Sequence, residues 1–195
     1  MVTQQFEQRT RELIDSLKAI CAAYGLGNDG NEFKIITQVF LYKFLNDKFA
    51  FEAKKIRPDL AKAESWEAAM AAMNADDREM LQMQMGPDTA RLKPEHFIAH
   101  LFGRQNAPEF AKLFDDTLRD IAVTNNDIFA VKTDGGAKIT LFDRVSEFIT
   151  DTSKRDAFCR AIINKLGDFS FERIFSEKYD FYAALFEYLI KDYNK

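Results

Sequence analysis

A glycine-rich stretch near the N-terminus is the first part of the sequence whose residue types could support chemistry. Residues 25–30, GLGNDG, match the pattern GxGxxG, which binds a dinucleotide when it follows a β-strand and opens a helix. Here a long stretch with helical periodicity precedes the glycines, and no second strand ending in an acidic residue follows. The pattern therefore favours a helix C-terminus followed by a loop over a nucleotide-binding site.

The only two histidines form a second group with a chemically suggestive spacing. His96 and His100 are four residues apart, so a helix would place both on one face, as in many zinc sites. The glutamate of such a site lies between the histidines, whereas Glu95 precedes this pair, and the sequence suggests no third ligand. We therefore expect an amphipathic surface helix without a metal. The sequence also lacks a Gly-Lys-Ser/Thr phosphate loop and a nucleophile elbow, so no catalytic residue is predicted.

The two cysteines and the composition indicate the compartment and exclude some classes of protein. Cys21 and Cys159 lie within apolar helical patterns, which favours buried free thiols over a disulfide and suits a reducing cytoplasm. The N-terminus has no apolar signal region, and no apolar run reaches the roughly 18 residues of a membrane span. The net charge is −4, so the surface as a whole does not attract nucleic acid. The expected location is the cytoplasm, without a membrane partner.

Helical periodicity dominates the elements that must position these residues. Apolar residues recur at steps of three and four along most of the chain, with Ser65 as a predicted N-cap and Asp76 or Asp77 as the next one. The predicted helices cover residues 3–24, 33–49, 66–73, 78–85, 93–103, 108–121, 154–167 and 179–194. The sequence therefore predicts an all-α multi-helix bundle in one domain, residues 1–195. A subdivision near 126–142 and one small β-hairpin near 127–142 remain open.

The segment from Phe33 to Phe49, FKIITQVFLYKFLNDKF, combines a broad apolar stripe with charged residues. A helix would place Lys34, Gln38 and Asp47 opposite the stripe. We expect the aromatic residues to build the core, and the lysines and Asp47 to face solvent or a partner.

Two runs within and near this segment carry a resemblance to a known family. Residues 31–34 (NEFK) and 42–49 (YKFLNDKF) resemble the N-terminal helical domain of the modification subunits of type I restriction-modification systems, which are adenine-N6-specific DNA methyltransferases. Residues 179–181 (YDF) and 185–190 (LFEYLI) are similar to the helix that joins this domain to the methyltransferase domain. Residues 138–171 follow the general pattern of the family.

The resemblance implies a role in assembly and DNA clamping. The implied partners are the specificity subunit, a second modification subunit, the restriction subunit and double-stranded DNA. Lys34, Lys43 and Asp47 are the candidate residues for contact with a partner or with DNA. The alternative is a free-standing helical adaptor that binds proteins and has no nucleic-acid function.

The resemblance does not extend to the catalytic motifs of the family. The full-length enzymes bind S-adenosylmethionine at an aromatic-x-Gly-x-Gly turn and hold the flipped adenine with an Asn-Pro-Pro-aromatic motif. None of the four prolines of this chain is adjacent to another. We therefore expect no catalytic, cofactor-binding or metal-binding residue and no cofactor in this chain, which corresponds to the N-terminal domain without the methyltransferase domain. Whether the native chain continues past Lys195 stays open.

Overall fold

The fold is described from a computed structural model, in which residues 2–27, 30–87, 89–126, 142–172 and 175 are described. These residues form eight α-helices and three short 3₁₀ helices and no strand, which confirms the predicted all-α bundle. The possible β-hairpin near 127–142, the possible domain division near 126–142 and the helix predicted at 179–194 fall largely or wholly outside the described residues. The α-helices are α1 (Val2–Ala23), α2 (Gly30–Ile56), α3 (Pro58–Lys62), α4 (Trp66–Ala72), α5 (Ala75–Gln84), α6 (Ile98–Gly103), α7 (Phe110–Thr124) and α8 (Arg155–Gly167).

Helix α2 is the longest of these helices and is surrounded by other parts of the chain. Its 27 residues extend over about 40 Å, and α1, α3 and α5 pack against it, while α8 packs against α1, α6 and α7. The buried positions cover one broad side of α2, whereas the opposite strip, which includes Thr37, Leu41 and Lys48, is only partly buried. The buried positions are Glu32, Ile35, Ile36, Val39, Phe40, Tyr42, Lys43, Leu45, Asn46, Asp47, Phe49, Ala50 and Ala53.

Aromatic rings join α2 to the short helices that follow it. The Phe49 ring lies 5.4 Å from the Phe97 ring and 6.2 Å from the Trp66 ring, and the last two are 4.7 Å apart. Ring pairs at these distances contribute attraction beyond the area that they bury. Since Trp66 begins α4 and Phe97 precedes α6, this cluster fixes both short helices against α2.

The glycine-rich loop ends helix α1. Gly25 has a φ of 83°, a left-handed conformation that glycine adopts without strain. The Leu26 N–H donates to the Cys21 carbonyl at 2.9 Å, and the Gly25 N–H donates to the Ala22 carbonyl at 3.1 Å, which is the pair of bonds of a Schellman motif. The predicted helix C-terminus is confirmed, and Gly25 and Leu26 satisfy two carbonyls of α1.

The N-caps of two short helices show one correct and one wrong prediction. Ser65 caps α4, because its side chain accepts a hydrogen bond from the Ala68 N–H at 3.2 Å, as predicted. Helix α5 is capped by Asn74, whose Oδ1 accepts from the Asp77 N–H at 2.8 Å. The prediction of Asp76 or Asp77 was therefore wrong, since both lie in the first turn, where a carboxylate interacts with the helix dipole instead of capping.

Replacing the observed cap should destabilise the protein more than replacing its acidic neighbour. Asn74→Ala is expected to lower the free energy of unfolding by about 1 kcal/mol, because the Asp77 N–H loses its acceptor. The matched variant Asp76→Ala should cost no more than about 0.5 kcal/mol. Urea denaturation of both variants measures the difference, and equal losses would contradict the assignment of Asn74 as the cap.

The two thiols are buried and free, as predicted. Cys21 and Cys159 have no exposed surface and form no disulfide. Burial raises the pKa of Cys21 to about 12 and raises the pKa of Cys159 well above its usual value. Because the thiolate is the reactive form, both groups are packing residues and not nucleophiles.

Among the described residues, no helix combines the length and the apolar character that crossing a membrane requires.

Candidate functional site

The structure separates the three predicted contact residues. Lys34 is exposed on the first turns of α2, in agreement with the prediction. Lys43 and Asp47 are both 4% exposed, so the expectation that they face solvent or a partner was wrong. The reason is that these two side chains lie on the buried side of α2, beside Phe40, where residues 168–172, which follow α8 and which we call the strap, pack against them.

Lys43 and Asp47 form a buried ion pair that binds the backbone of the strap. The Lys43 Nζ lies 3.1 Å from the Asp47 Oδ2 and donates to the Phe169 carbonyl. The same carboxylate oxygen accepts a hydrogen bond from the Phe171 N–H at 2.8 Å. Each charge is therefore satisfied both by the other and by one backbone group, as a buried ion pair requires.

Asn46 extends this cluster to helix α6. Its Nδ2 donates to the Asp47 Oδ1 at 3.0 Å, and its Oδ1 accepts from the Ile98 N–H at 3.0 Å. The Ile98 N–H is one of the N–H groups at the start of α6 that have no carbonyl acceptor within the helix. Three neighbouring side chains on one side of α2, Lys43, Asn46 and Asp47, thus hold α2, the strap and α6 together.

Two further contacts attach the strap to the bundle. The Lys54 Nζ lies 2.9 Å from both carboxylate oxygens of Glu172, and both side chains are about one quarter exposed. The Phe171 ring is 1% exposed and packs 5.9 Å from the Phe6 ring and 6.3 Å from the Phe40 ring. These contacts connect the strap to both α1 and α2.

A cleft of about 370 Å³ lies beside this cluster. The strap and α2 form one wall, while Trp66, Glu67 and residues of α6 form the other. At its edge lies Phe102, which is 46% exposed. Apart from the Lys43–Asp47 pair, the charged residues lining the cleft are Lys54, Glu67, Asp168 and Glu172. Acidic side chains outnumber basic ones there, so this cleft does not favour a phosphate group.

The histidine pair does not lie on a surface helix as predicted. His96 ends a 3₁₀ turn (Pro94–His96) and is 1% exposed, whereas His100 lies within α6, which begins only at Ile98. The His96 Nδ1 accepts from the Lys93 N–H at 3.0 Å, so the proton resides on Nε2, which contacts the Asp120 carboxylate. Both ring nitrogens are engaged, and His96 serves to fix the turn against α7. Within the described part of the chain, no three His, Cys, Asp or Glu side chains converge as a metal site needs.

The environment of His96 predicts a stability that decreases in mild acid. Burial lowers the pKa of His96 below its ordinary value of 6.5 and is the largest effect; Lys93 lowers it further, while Asp120 and Glu95 oppose the decrease. Since the unfolded chain binds a proton at a higher pH than the folded chain, this contribution is complete above about pH 6.5 and is lost as the pH falls through the folded pKa. The free energy of unfolding should therefore decrease from about pH 7.5 to about pH 5.5.

Two variants isolate this effect in urea denaturation at both pH values. His96→Gln keeps an amide that can reach Asp120 but removes the titrating ring, so its stability should change less with pH than that of the wild type. His100→Gln should retain the pH dependence of the wild type, because His96 remains. A wild-type pH dependence in His96→Gln would assign the effect to other groups.

Sequence reasoning missed Asn46, Glu172 and Phe171 as members of the cluster. The only local signal was the Asn46–Asp47 pair inside a helix that is otherwise rich in apolar residues, since two short polar side chains there need partners from elsewhere. The partners lie far along the chain and carry no pattern of their own.

Comparisons with models of protein families, with curated proteins and with solved structures gave no match to this chain.

Proposed function

We propose that the chain acts as an assembly and DNA-clamping domain at the N-terminus of a type I restriction-modification modification subunit, an adenine-N6 DNA methyltransferase. One observation supports this proposal more than any other. The two runs that carry the resemblance, 31–34 and 42–49, lie in α2, the central helix of an all-helical bundle, where their residues organise the domain. The domain performs no catalysis, and S-adenosylmethionine binds to the methyltransferase domain of the full-length subunit.

Under this proposal, most residues of the run 42–49 stabilise the fold of the domain and do not contact a partner. Tyr42, Leu45 and Phe49 are core residues, and the Tyr42 hydroxyl donates to the His96 carbonyl at 2.6 Å. Lys43 and Asp47 bind the strap. Residues that hold the bundle together affect a partner only through the fold, so the proposal assigns direct contact to Lys34, which is exposed.

The negative net charge of the chain argues that this domain contributes little DNA affinity by itself and acts together with the other subunits. A protein that neutralises few phosphates gains little from counterion release, and this chain carries a net charge of −4. The isolated domain should bind non-specific duplex with a dissociation constant no tighter than about 10⁻⁴ M at physiological salt. The specificity subunit, and not this domain, then supplies the sequence recognition.

The proposal is tested by assembly with the specificity subunit and a second modification subunit. A full-length subunit that carries Lys34→Glu should form less complex in size-exclusion chromatography, or bind duplex more weakly in a salt titration. Lys154→Glu is the matched control, because Lys154 is exposed and lies outside α2; it should change neither result.

Two outcomes would overturn the proposal. Failure of the wild-type chain to associate with either subunit would remove the assembly role. Sub-micromolar duplex binding by the isolated domain would replace that role with direct DNA recognition.

A free-standing adaptor is the second candidate, and α5 favours it. Met80 and Met83 are 60% and 74% exposed on this helix, and flexible thioether side chains suit surfaces that bind other proteins. The native reading frame separates the two candidates. Continuation past Lys195 into Gly-rich and Asn-Pro-Pro motifs supports the methyltransferase subunit, whereas a stop codon there supports the adaptor.

A further inference from the structure

The strap is attached to α2 mainly through side chains. The Phe169 carbonyl and the Phe171 N–H, two backbone groups two residues apart in the strap, are bonded to Lys43 and Asp47. In a helix of the bundle, by contrast, the backbone groups bond to one another within the element. The position of the strap therefore depends on the charge state and the geometry of two side chains of α2.

The ion pair that holds the strap contributes specificity more than stability. The side chains of Lys43 and Asp47 are 5% and 6% exposed, so both charges lose most of their hydration when the strap closes over them. The mutual attraction of a buried pair roughly offsets that loss, and the geometry is what the pair determines. Opening of the strap returns both charges to water, which compensates for much of the lost attraction.

Packing beneath the strap is incomplete. The cleft of about 370 Å³ is lined by Asp168, Phe169, Ser170 and Glu172 on the strap side, and of these only Phe169 is apolar; it is partly buried against the core. Phe171 is the one fully inserted apolar side chain of the strap. In contrast, α8 buries Phe158, Cys159, Ile162, Ile163 and Leu166 completely. Fewer apolar contacts mean a smaller free energy of local opening.

We propose that the strap opens as a local unit while the helical bundle stays folded. The Lys43–Asp47 pair is the contact that holds the strap closed, and we call it the catch. In the closed state the pair holds the backbone of Phe169 and Phe171 against α2, and Phe175 packs on Phe44 and Phe51 of the same helix. In the open state these two backbone groups are released, and the apolar site between Phe6 and Phe40 becomes accessible.

Amide hydrogen exchange of the wild-type chain at increasing low urea concentrations tests this proposal. The Phe171 amide should exchange at least about a hundredfold faster than the Ile162 amide in α8, relative to their intrinsic rates, and its protection should hardly depend on urea, as for a local opening. Equal protection and an equal urea dependence for the two amides would overturn the proposal, because the strap would then open only when the whole bundle unfolds.

Two substitutions test the catch itself. Asp47→Asn should reduce the protection of the Phe171 amide about tenfold or more, because a hydrogen bond to a charged acceptor becomes one to a neutral acceptor. Lys34→Met, on the exposed side of α2, should leave that protection within about twofold of the wild type. Unchanged protection in Asp47→Asn would overturn the role of the pair as the catch.

Trp66 supplies a second measurement on the same variant. It is the only tryptophan and lines the same cleft, with the Lys54 Nζ 5.9 Å from its ring centroid. In Asp47→Asn, acrylamide should quench the Trp66 emission more strongly while the far-ultraviolet circular dichroism stays that of the wild type. A loss of helical signal in proportion to the quenching would contradict local opening.

Discussion

Asp47→Ala is expected to lower the free energy of unfolding by about 3 kcal/mol, which is a large fraction of the stability of an ordinary domain. The substitution leaves Lys43, 4% exposed, without its carboxylate, and the Phe171 N–H without its acceptor. Removal of one member of a buried pair costs about 3–5 kcal/mol. We expect the lower end, because opening of the strap can return Lys43 to water.

A double-mutant cycle measured by urea denaturation gives the energy of the pair. Lys43→Met alone leaves Asp47 unpaired and should also be strongly destabilising, whereas the double variant leaves no unpaired buried charge. The double variant should therefore lose less stability than the sum of the two single losses, by about 1–3 kcal/mol. If the free energy of unfolding of the single variant Asp47→Ala lay within about 0.5 kcal/mol of that of the wild type, the pair would be hydrated and would not stabilise the position of the strap.

Phe114→Ala is expected to cost about 3–5 kcal/mol by creating a cavity in the core. Phe114 is fully buried in α7, and its ring lies 6.4 Å from the Tyr42 ring and 6.4 Å from the Phe110 ring. The loss removes packing between α7 and α2 as well as the transfer free energy of the ring. Urea denaturation of Phe114→Ala and of the wild type measures this difference in the free energy of unfolding.

The matched control for this variant is Phe102→Ala. Phe102 is 46% exposed at the edge of the cleft, so its truncation leaves no closed cavity and should cost about 1 kcal/mol or less. Phe114→Leu, which keeps most of the side-chain volume, should fall between the two. Equal losses for Phe114→Ala and Phe102→Ala would mean that the Phe114 ring is not enclosed beside Tyr42.

Local patterns were sufficient to predict the helical class and several of the helix ends. The steps of three and four predicted α1 and α7 to within a few residues, and Gly25 and Ser65 were identified because capping depends on neighbours within one turn. The cap of α5 was misplaced because three polar residues, Asn74, Asp76 and Asp77, compete within four positions. Only the backbone conformation decides which of them caps the helix.

The polar cluster could not be predicted, because its partners are distant in sequence. Asp47 and Phe171 are 124 residues apart, and His96 and Asp120 are 24 apart. The periodicity of α2 indicates which positions are apolar, but it does not show that the strap packs over the charged positions between them. Lys43 and Asp47 therefore resembled surface charges, although they are held in the interior.

The long span between Asp47 and the strap also affects the order in which the domain can be completed during synthesis. A ribosome releases α2 well before residues 168–172, so the two charges of α2 remain in water until the last described part of the chain has emerged. Closure of so long a loop costs more entropy than a local contact and slows folding. Because the strap covers the ion pair, we expect its burial to be a late step of folding and the two side chains to stay hydrated until then.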